Sequence, residues 1–545
     1  MSRSERGWKR GRNWWCWAAD KEKSMNRILH VALFVLGTAC APADSEPAPA
    51  SDGVRCDRLY QLTDHSQAVE PGVLVDATGD VPAHCRVRGV IERTIRFEVT
   101  MPVEGWQGRL MFYAPGGLAG YIGNTTILLD EGFAMATTDT GHEGAEPDFL
   151  RNDKARIDYG YRGIHLSTVL AKQVVGTFYG RDVDHAYLTG CSNGGRASLI
   201  EAQRYPEDFD GIIAGAPAMA WSETSPWGLA VERWQSENPL TAAALELLDE
   251  ASRGACDMLD GVADRVIGDP RQCSVEMLNL EALQCDSGET EGCLTEGQIG
   301  TAHAIYSGVR DEEGRVLSPG VMPGGEAEDE WLFWVVGTPG APPATELMGT
   351  GNIRNLYHRK PNYQVDQFDL VRDREELARE TSSIDVPEGS FEGFRNHGGK
   401  LIVYQGWNDF PIRPQSMLDY MARAEELGGS PMDDFARVYM VPGMLHCAGG
   451  PGAWVADYVG PMVDWVEEGQ APEEIIGART GVSRWFEALA VMGASWTMAL
   501  PEVGREGDGV RRFTRPICPY PKVAKYEGPG DVREAESFIC TEDQG

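Results

Sequence analysis

The feature that most constrains this 545-residue chain is a serine placed between two glycines, at a turn from a strand to a helix. The apolar run AYLTG (186–190) is typical of a short buried strand, and RASLIEAQRYP (196–206) is typical of a helix that ends at a proline. Between them, Gly190, Ser192 and Gly194 form the pattern G-x-S-x-G. At such a turn the serine has a strained backbone and an exposed hydroxyl, while the glycines let strand and helix pack closely. The alternative is an ordinary loop, because Gly and Ser are common residues.

Apolar runs alternate with helical segments in much of the chain. Strands are expected at 110–115, 133–138, 186–190, 212–218, 401–406 and 437–443, and a helix at 164–180. This alternation predicts an α/β fold with a mostly parallel sheet that helices cover on both faces. Between Pro217 and about Gly399 the alternation stops. We therefore expect a large inserted domain at 221–395, with the core formed by 56–220 and 396–545.

A serine hydroxyl needs a base and an orienting carboxylate to become a nucleophile. After a G-x-S-x-G turn these follow in the order acid, histidine. Asp409 comes just after the expected strand LIVYQG, and His446 comes just after RVYMV. Both therefore lie at carboxyl ends of strands, the edge at which parallel sheets carry functional loops. The sequence predicts a catalytic triad of Ser192, Asp409 and His446.

Two cysteines flank the predicted triad. Cys191 immediately precedes Ser192, and Cys447 immediately follows His446. If the serine and the histidine are hydrogen bonded, the two cysteines come within disulfide distance, about 4.4 to 6.8 Å between Cα atoms. A bridge between them would join the nucleophile turn to the histidine loop. The alternative is two unrelated structural cysteines.

The first 55 residues contain a candidate export signal. The apolar run 28–39 is too short to cross a bilayer and follows a basic residue, which is typical of a signal peptide. Cys40 comes directly after it, so a lipid anchor at Cys40 and a freely secreted form both remain open. The residues before Met25 fit no export signal, which makes Met25 the expected translation start, and a cytosolic tail is the alternative. We interpret 1–40 as the signal region and 41–55, rich in Pro, Ala and Ser, as a linker.

Charge and cysteine content limit the partners and the compartment. Lys and Arg total 49 against 83 for Asp and Glu, a formal net charge of −34. This acidity argues against a nucleic acid or an anionic membrane surface as partner, because both need a basic footprint. Of the 12 cysteines, Cys16 and Cys40 fall in the signal region. The others form an even set, which in an exported protein indicates disulfides.

These residues together resemble the tannase and feruloyl esterase family of α/β-hydrolases, which also includes hydrolases of terephthalate monoesters. The Cys-Ser, Asp and His-Cys set is the hallmark of that family, and the similarity runs from about Cys56 to Cys540. It is carried by TTDTGHEG (137–144), FYGRDVDHAYLTGCSNGGR (178–196), EAQRYPEDFDGIIAGAPA (201–218), CDMLDGVADRVIGDPRQC (256–273) and CLTEGQIGTAHAIYSG (293–308). The resemblance implies a serine esterase with an α/β-hydrolase core, a lid domain at 221–395 and no organic cofactor.

The resemblance also implies how the cysteines pair. The implied bridges are Cys56–Cys85, Cys191–Cys447, Cys256–Cys273, Cys285–Cys293 and Cys518–Cys540. They use every cysteine that follows the signal region. Sequence spacing alone leaves this connectivity open.

A tetrahedral intermediate needs two backbone N–H donors, one from the residue after the serine and one from the loop after an earlier strand. Asn193 is the first of these. For the second, the loop 115–118 resembles the glycine-rich loop of the family, and we predict Gly117, with Gly116 as the neighbouring choice. A turn selected only for its backbone shape is the alternative. His142 is interpreted as a structural histidine and not as a second base.

Three aspartates stand close together in the expected lid, between Cys256 and Cys273. Composition alone supports either a solvated acidic loop or a site for a hard cation such as Ca²⁺. The family resemblance implies a structural calcium held by the side chains of Asp257, Asp260 and Asp264 and the carbonyls of Val262 and Val266. The family often has glycine where this chain has Arg265, which adds a positive charge near the site.

The resemblance implies an aromatic acyl group, such as feruloyl, galloyl or a related benzoate. Arg354 stands where relatives that hydrolyse terephthalate monoesters place an arginine for the free carboxylate, but His358 replaces their aromatic residue. We therefore expect a phenolic acyl group, with a terephthalate monoester as the alternative substrate and a surface ion pair as the alternative role of Arg354. Residues that could stack on a substrate ring, or simply belong to the core, are Trp331, Trp334, Tyr357 and Trp407. The alternative to an enzyme is a binding protein of the same fold without catalytic activity. The complete triad argues against this alternative.

Overall fold

The computed structural model describes residues 51–289, 291–338, 340–359, 362–479 and 512–542. The signal region, the expected start at Met25, the anchor at Cys40 and most of the linker lie outside these ranges and stay predictions. The described residues belong to one compact unit. Among the described helices, none combines the length and the hydropathy that a membrane span needs.

The described strands are short. In chain order they are β1 Gln67–Val69, β2 Val73–Val75, β3 His84–Ile91, β4 Ile95–Pro102, β5 Arg109–Tyr113, β6 Phe133–Thr138, β7 His185–Cys191, β8 Gly211–Gly215, β9 Val309–Arg310, β10 Val316–Ser318, β11 Lys400–Gly406, β12 Ala436–Val441, β13 Val455–Ala456, β14 Ile475–Arg479, β15 Phe513–Ile517, β16 Lys522–Tyr526 and β17 Phe538–Glu542. The six strands expected from apolar runs are β5, β6, β7, β8, β11 and β12. Strands β1 to β4 were not expected, because Arg and Glu interrupt the apolar residues of the longer two.

The described α-helices are, in chain order, α1 Asp52–Asp57, α2 Asp153–Ile157, α3 Gly163–Tyr179, α4 Asn193–Arg204, α5 Trp221–Glu237, α6 Ala242–Cys256, α7 Glu296–Ser307, α8 Asp329–Trp331, α9 Ala344–Glu346, α10 Asn352–Leu356, α11 Arg374–Thr381, α12 Glu392–His397, α13 Pro414–Gly428 and α14 Val459–Glu468. Three π-helical turns continue them, at Asp158–Arg162, Leu332–Val336 and Leu347–Gly351. The helix expected at 164–180 is α3. Its buried face contains Val174 and Phe178, whereas Val169 is 40% exposed.

The central sheet has the strand order β1-β3-β4-β6-β5-β7-β8-β11-β12, with β2 paired to β3. From β6 to β12 in this order every neighbouring pair is parallel. The pairs that involve β1 to β4 are antiparallel. The predicted α/β fold with a mostly parallel sheet is confirmed, and an antiparallel part extends one side of it.

Helices cover both faces of this sheet. Leu110 and Phe112 of β5 belong to an apolar cluster that includes residues of α3, α4 and α13. Met111 belongs to a second cluster, which includes Met462 and Trp465 of α14. Because successive side chains of a strand point to opposite faces, the two clusters lie on opposite sides of the sheet. Burial on both sides explains why these strands are continuous apolar runs.

The parallel strands bring four loops to one edge. The loops that follow β5, β7, β11 and β12 carry the Gly116-Gly117 pair, Ser192, Asp409 and His446, respectively. Carboxyl ends of parallel strands meet at the same edge of a sheet. The sheet therefore collects all the residues of the predicted site at its carboxyl edge.

Residues 221–395, here called the inserted segment, lie between β8 and β11, which are neighbours in the sheet. The segment contains α5 to α11 and the two-stranded β9–β10. Its apolar cluster includes Trp227, Leu248 and Trp331, and it also takes in Phe410 from the loop after β11. The inserted segment therefore packs against the loop that carries Asp409. The boundaries of the expected core and lid domains stay predictions.

Candidate active site

Ser192 occupies a strained turn between β7 and α4. Its backbone has φ 62° and ψ −120°, and a positive φ is uncommon for a residue with a side chain. Two hydrogen bonds hold this conformation: the N–H of Ser192 donates to the carbonyl of Gly215 at 2.9 Å, and its carbonyl accepts from the N–H of Ala218 at 3.1 Å. The turn is thus fixed from the neighbouring strand β8 and the residues that follow it.

The two glycines of the motif give the turn its close packing. A Cβ on Gly190 would come 2.8 Å from the carbonyl oxygen of Ala114, in the loop after β5. A Cβ on Gly194 would collide with the same oxygen. Both positions require glycine for steric reasons, as the motif predicts.

Asp409 and His446 form a hydrogen-bonded pair. Nδ1–H of His446 donates to Oδ2 of Asp409 at 2.8 Å, and Asp409 is fully buried. The same oxygen accepts from Nε2 of Gln405 at 2.7 Å, and Oδ1 accepts from the N–H of Ile412 at 2.8 Å. Because an ionised carboxylate can only accept, the imidazole proton lies on Nδ1 and Nε2 is left as the basic nitrogen. That is the tautomer a histidine needs to remove a proton from a serine.

A disulfide joins the nucleophile turn to the histidine loop. Cys191 and Cys447 are bonded with their Cα atoms 6.0 Å apart, although 256 positions separate them in the sequence. Both are buried. The other four bridges are Cys56–Cys85, Cys256–Cys273, Cys285–Cys293 and Cys518–Cys540. The five pairs are those that the family resemblance implies.

The glycine-rich loop lies beside the nucleophile. A Cβ on Gly116 would be 3.9 Å from the Cβ of Ser192. Gly117 has φ +58° with open space where a Cβ would lie, and the hydroxyl of Tyr159 donates to its carbonyl at 2.9 Å. Asn193 is the first residue of α4, where backbone N–H groups have no partner within the helix. The choice between the two glycines as second oxyanion donor stays a prediction.

His142 supports this loop from outside the triad. Its Nε2–H donates to the carbonyl of Leu118 at 2.7 Å, and its ring stacks on Phe149 with the centroids 3.6 Å apart. Burial lowers its pKa. These contacts agree with a structural role for His142.

Two further buried polar residues, Gln405 and Arg196, hold the site, and neither has a role that the sequence pattern predicts. Gln405 holds Asp409, and its only sequence signal is an amide at the end of an apolar strand. Arg196 is fully buried, which lowers its pKa. It donates to Oδ1 of Asn193 from Nε at 2.8 Å and from Nη2 at 2.6 Å, and its Nη1 donates to the carbonyls of Gly160 at 3.0 Å and Ile384 at 2.5 Å. Arg196 therefore ties the start of α4 to the inserted segment.

Three of the four aromatic residues considered for ring stacking are core residues. Trp331, Tyr357 and Trp407 are 1%, 4% and 2% exposed. Trp331 packs on Phe410 with the ring centroids 5.2 Å apart. Only Trp334 among the four is partly buried, so it alone keeps a surface for a ligand.

The aspartate loop is compact and highly charged. Oδ1 of Asp260 accepts from the N–H of Val262 at 2.9 Å, and Oδ1 of Asp257 accepts from the N–H of Asp264 at 3.2 Å. The pKa of Asp260 is raised to about 7, mainly by burial; the hydrogen bond from Val262 and the charge of Arg515 lower it, and the charges of Asp264 and Asp257 add to the rise. Oδ2 of Asp264 forms an ion pair with Nη2 of Arg515 at 2.5 Å.

These donors fit a hard divalent cation in chemistry, with three carboxylates and the carbonyls of Val262 and Val266 on one short loop. The carboxylates do not converge fully. A metal site needs the ligand atoms of several side chains close together. In the described part of the chain, three such atoms from Asp, Glu, His or Cys lie within 4.8 Å of one another only at His165, Glu201 and Asp208, and not in the aspartate loop. Of these three residues, His165 and Asp208 are already hydrogen bonded at 2.6 Å. In the aspartate loop, Arg515 competes with a cation for Asp264.

Arg265 does not place its charge in the loop. Its backbone has φ 67°, which explains why glycine would suit this position. Its guanidinium lies 3.3 Å from Oδ2 of Asp249, and its side chain is 66% exposed. The positive charge anticipated near the aspartates is therefore directed to Asp249.

Arg354 lies on the exposed side of α10. Its neighbours Ile353 and Leu356 are buried. Within the described residues no carboxylate lies within ion-pair distance of Arg354, whereas His358 pairs with Glu376 at 3.2 Å. The surface ion pair considered as the alternative role of Arg354 is therefore not formed with any described residue.

Comparison with known proteins agrees with this geometry. A family model described as tannase and feruloyl esterase matches residues 79–541. The chain is 30% identical to the mono(2-hydroxyethyl) terephthalate hydrolase of Piscinibacter sakaiensis, over 84% of this chain and 85% of that protein. It is 28% identical to the probable feruloyl esterase B of Aspergillus niger, over 95% and 99% of the two chains.

The fold of this chain also matches that of a solved structure. Feruloyl esterase B from Aspergillus oryzae matches with a TM-score of 0.74 at 26% identity, over 90% of this chain and 100% of that one. The predicted α/β-hydrolase type of fold is thereby confirmed. Since the family model covers most of the sequence, this chain belongs to the tannase and feruloyl esterase family and is a carboxylic ester hydrolase.

Proposed function

We propose that this hydrolase cleaves esters of aromatic acids, of the feruloyl, galloyl or related benzoate type, through an acyl-enzyme on Ser192. The observation that carries the proposal is the hydrogen-bonded pair of Asp409 and His446, covalently tied to the serine turn through Cys191–Cys447. This arrangement supplies a nucleophile, a base and an orienting carboxylate.

In the first half of the reaction, Oγ of Ser192 attacks the ester carbonyl while Nε2 of His446 removes its proton. The buried carboxylate of Asp409 stabilises the imidazolium through the 2.8 Å hydrogen bond. The backbone N–H groups of Asn193 and Gly117 stabilise the oxyanion. His446 then protonates the leaving alcohol, and the acyl-enzyme remains.

In the second half, a water molecule attacks the acyl carbon and gives its proton to His446. The tetrahedral intermediate collapses, the histidine returns the proton to Ser192, and the aromatic acid leaves. No step requires an organic cofactor. Calcium, bound by the side chains of Asp257, Asp260 and Asp264 with the carbonyls of Val262 and Val266, would stabilise the fold of the inserted segment without taking part in the chemistry.

We also propose export from the cytoplasm, with 221–395 acting as a lid over the site. The disulfides support export because such bonds persist in oxidising compartments. The packing of Trp331 on Phe410 supports a lid that reaches the acid loop. A small aromatic ester is the only partner that the proposal needs.

A terephthalate monoester is the second candidate substrate. A relative at 30% identity bears the name mono(2-hydroxyethyl) terephthalate hydrolase. Arg354 supports the idea, because it is exposed and no described carboxylate pairs with it. A guanidinium can bind a free carboxylate through two parallel hydrogen bonds.

The mechanism predicts that Ser192→Ala lowers kcat on the order of 10⁴-fold or more on whichever ester the wild type hydrolyses. The panel is methyl ferulate, methyl gallate, a terephthalate monoester and an aliphatic ester, followed by acid release. Ser198→Ala is the matched control, since it removes a buried hydroxyl from α4, the helix that follows Ser192, and it should retain activity. A wild type that binds these esters but hydrolyses none would be a silent binding protein.

The bridge between the two loops predicts a second result. The double variant Cys191→Ala, Cys447→Ala should lose more kcat than its loss of stability explains. Without the bridge, the serine turn and the histidine loop are no longer held in fixed positions relative to each other. Chain entropy assigns such a long loop about 5 kcal/mol as an upper value. The control is Cys285→Ala with Cys293→Ala, whose loop of 8 positions is worth about 2.5 kcal/mol and which should retain kcat. Equal kcat in both double variants contradicts this role.

We expect calcium to bind the folded chain and not the unfolded chain, and so to raise the stability of the fold. Chelation should lower the Tm of the wild type, because an ion bound to the folded state stabilises it by about 2.7 kcal/mol at a hundredfold excess over Kd. Asp260→Asn should show the lower Tm from the start and no response to chelator or to added Ca²⁺. Elemental analysis that finds no calcium in active enzyme would refute the site.

Arg354 is tested by comparing a carboxylate-bearing ester with its neutral methyl ester. Arg354→Ala should lower kcat/KM on the charged ester on the order of tenfold and leave the neutral ester unchanged, since a charged hydrogen bond contributes about 1.5–3 kcal/mol. Arg359→Ala is the matched control, because Arg359 is already paired with Asp153 and Glu380. Equal effects on both esters would exclude recognition of the carboxylate.

A further inference from the structure

Glu330 of the inserted segment reaches the triad loops from outside the sheet. It lies in the middle of α8 and is 7% exposed. Its Oε1 accepts from the backbone N–H of His446 at 3.0 Å, across 116 positions of sequence. Its Oε2 accepts from the backbone N–H of Phe410, the residue after Asp409, at 3.3 Å. One carboxyl group thus bonds to the backbone of both the histidine loop and the acid loop.

Two tryptophans of the inserted segment, Trp331 and Trp334, accompany this carboxyl. Trp331, the next residue, packs on Phe410 with the ring centroids 5.2 Å apart, and the side chain of Trp334 also donates a hydrogen bond to Glu330. Burial and then the negative charge of Asp409 raise the pKa of Glu330 well above its ordinary value. The two carboxyl groups lie close to each other, because Glu330 accepts from the N–H of Phe410, the residue after Asp409.

From this geometry, and on the basis of the proposed function, we propose that Glu330 is a positioning residue that holds Asp409 and His446 in register through the backbone of their loops. It touches neither the substrate nor a reacting atom. Its action is indirect, because the 2.8 Å bond between the imidazole and the buried carboxylate depends on where the two loops lie.

Such positioning affects the chemical step more than substrate binding. A displacement of about 1 Å in a catalytic group can cost on the order of a hundredfold in rate. Glutamine is the informative replacement, because it has the same shape but offers only one acceptor. Its amide group would point a donor at one of the two backbone N–H groups, so one loop must move or lose its partner.

A nearby carboxyl provides the matched control. Glu326 is fully buried, and its bonds go to Ser252, Tyr306 and Gly324, all within the inserted segment. Glu326→Gln therefore disturbs the packing of the inserted segment but leaves both hydrogen bonds of Glu330, to the N–H groups of His446 and Phe410, in place. Any effect that both variants share belongs to the stability of that segment.

The experiment compares Glu330→Gln and Glu326→Gln with the wild type in Tm, kcat, KM and the rate at which a small fluorophosphonate labels Ser192. Glu330→Gln should lower kcat and the labelling rate by the same factor, on the order of tenfold, with KM within twofold. Glu326→Gln should lower Tm and leave kcat and labelling within twofold. If Glu330→Gln does not fold, Glu330→Asp, which keeps the acid but shortens its reach, should show the same loss of kcat.

The outcomes separate this proposal from the one on which it rests. If the fluorophosphonate fails to label the wild type at Ser192, the proposed mechanism fails. If it labels the wild type and Glu330→Gln at the same rate with unchanged kcat, the mechanism stands and the positioning role is wrong. If kcat and the labelling rate fall in both Glu330→Gln and Glu326→Gln in proportion to their loss of Tm, the positioning role is also wrong, because the effect is then one of stability only.

Discussion

The disulfide between Cys191 and Cys447 is the constraint on which the rest of the site depends. The strands that carry the serine and the histidine, β7 and β12, are separated by β8 and β11 in the sheet. With about 4.8 Å between neighbouring strands, their ends lie about 14 Å apart. A serine and a histidine can cooperate only if their loops cross that gap. The bridge, with Cα atoms 6.0 Å apart, brings together the residues directly next to both of them.

Backbone strain at the carboxyl edge shows how firmly the surroundings fix these loops. Ser192, Ala216 and Cys447 have φ of 62°, 36° and 66°, conformations that cost on the order of 1–3 kcal/mol each for residues with a side chain. Such residues persist only where other contacts determine their position. Here those contacts are the disulfide at Cys447, the backbone bonds of Ser192 to Gly215 and Ala218, and the bond from the N–H of Ala216 to the carbonyl of Tyr404 at 2.7 Å.

The sequence indicates Ser192, Asp409 and His446 because each follows an apolar strand, and strand ends of a parallel sheet must meet at one edge. It also indicates Cys191 and Cys447 by their adjacency to the triad. The residues that hold this arrangement were not predictable in the same way. Arg196 meets Ile384 across 188 positions, and Glu330 meets His446 across 116, so these contacts exist only once the inserted segment has folded. Likewise, the spacing of the aspartates could not show that Arg515, 251 positions away, pairs with Asp264.

The residue that carries the acyl group during turnover decides whether Ser192 is the nucleophile. The enzyme is acid-quenched during turnover of a slowly hydrolysed aromatic ester, digested without reduction and analysed by mass spectrometry. The acyl-enzyme mechanism predicts the acyl mass on Ser192, in a peptide that the Cys191–Cys447 bridge still links to the peptide of His446. An acyl group on another residue, or a Ser192 peptide free of that link in active enzyme, would contradict it.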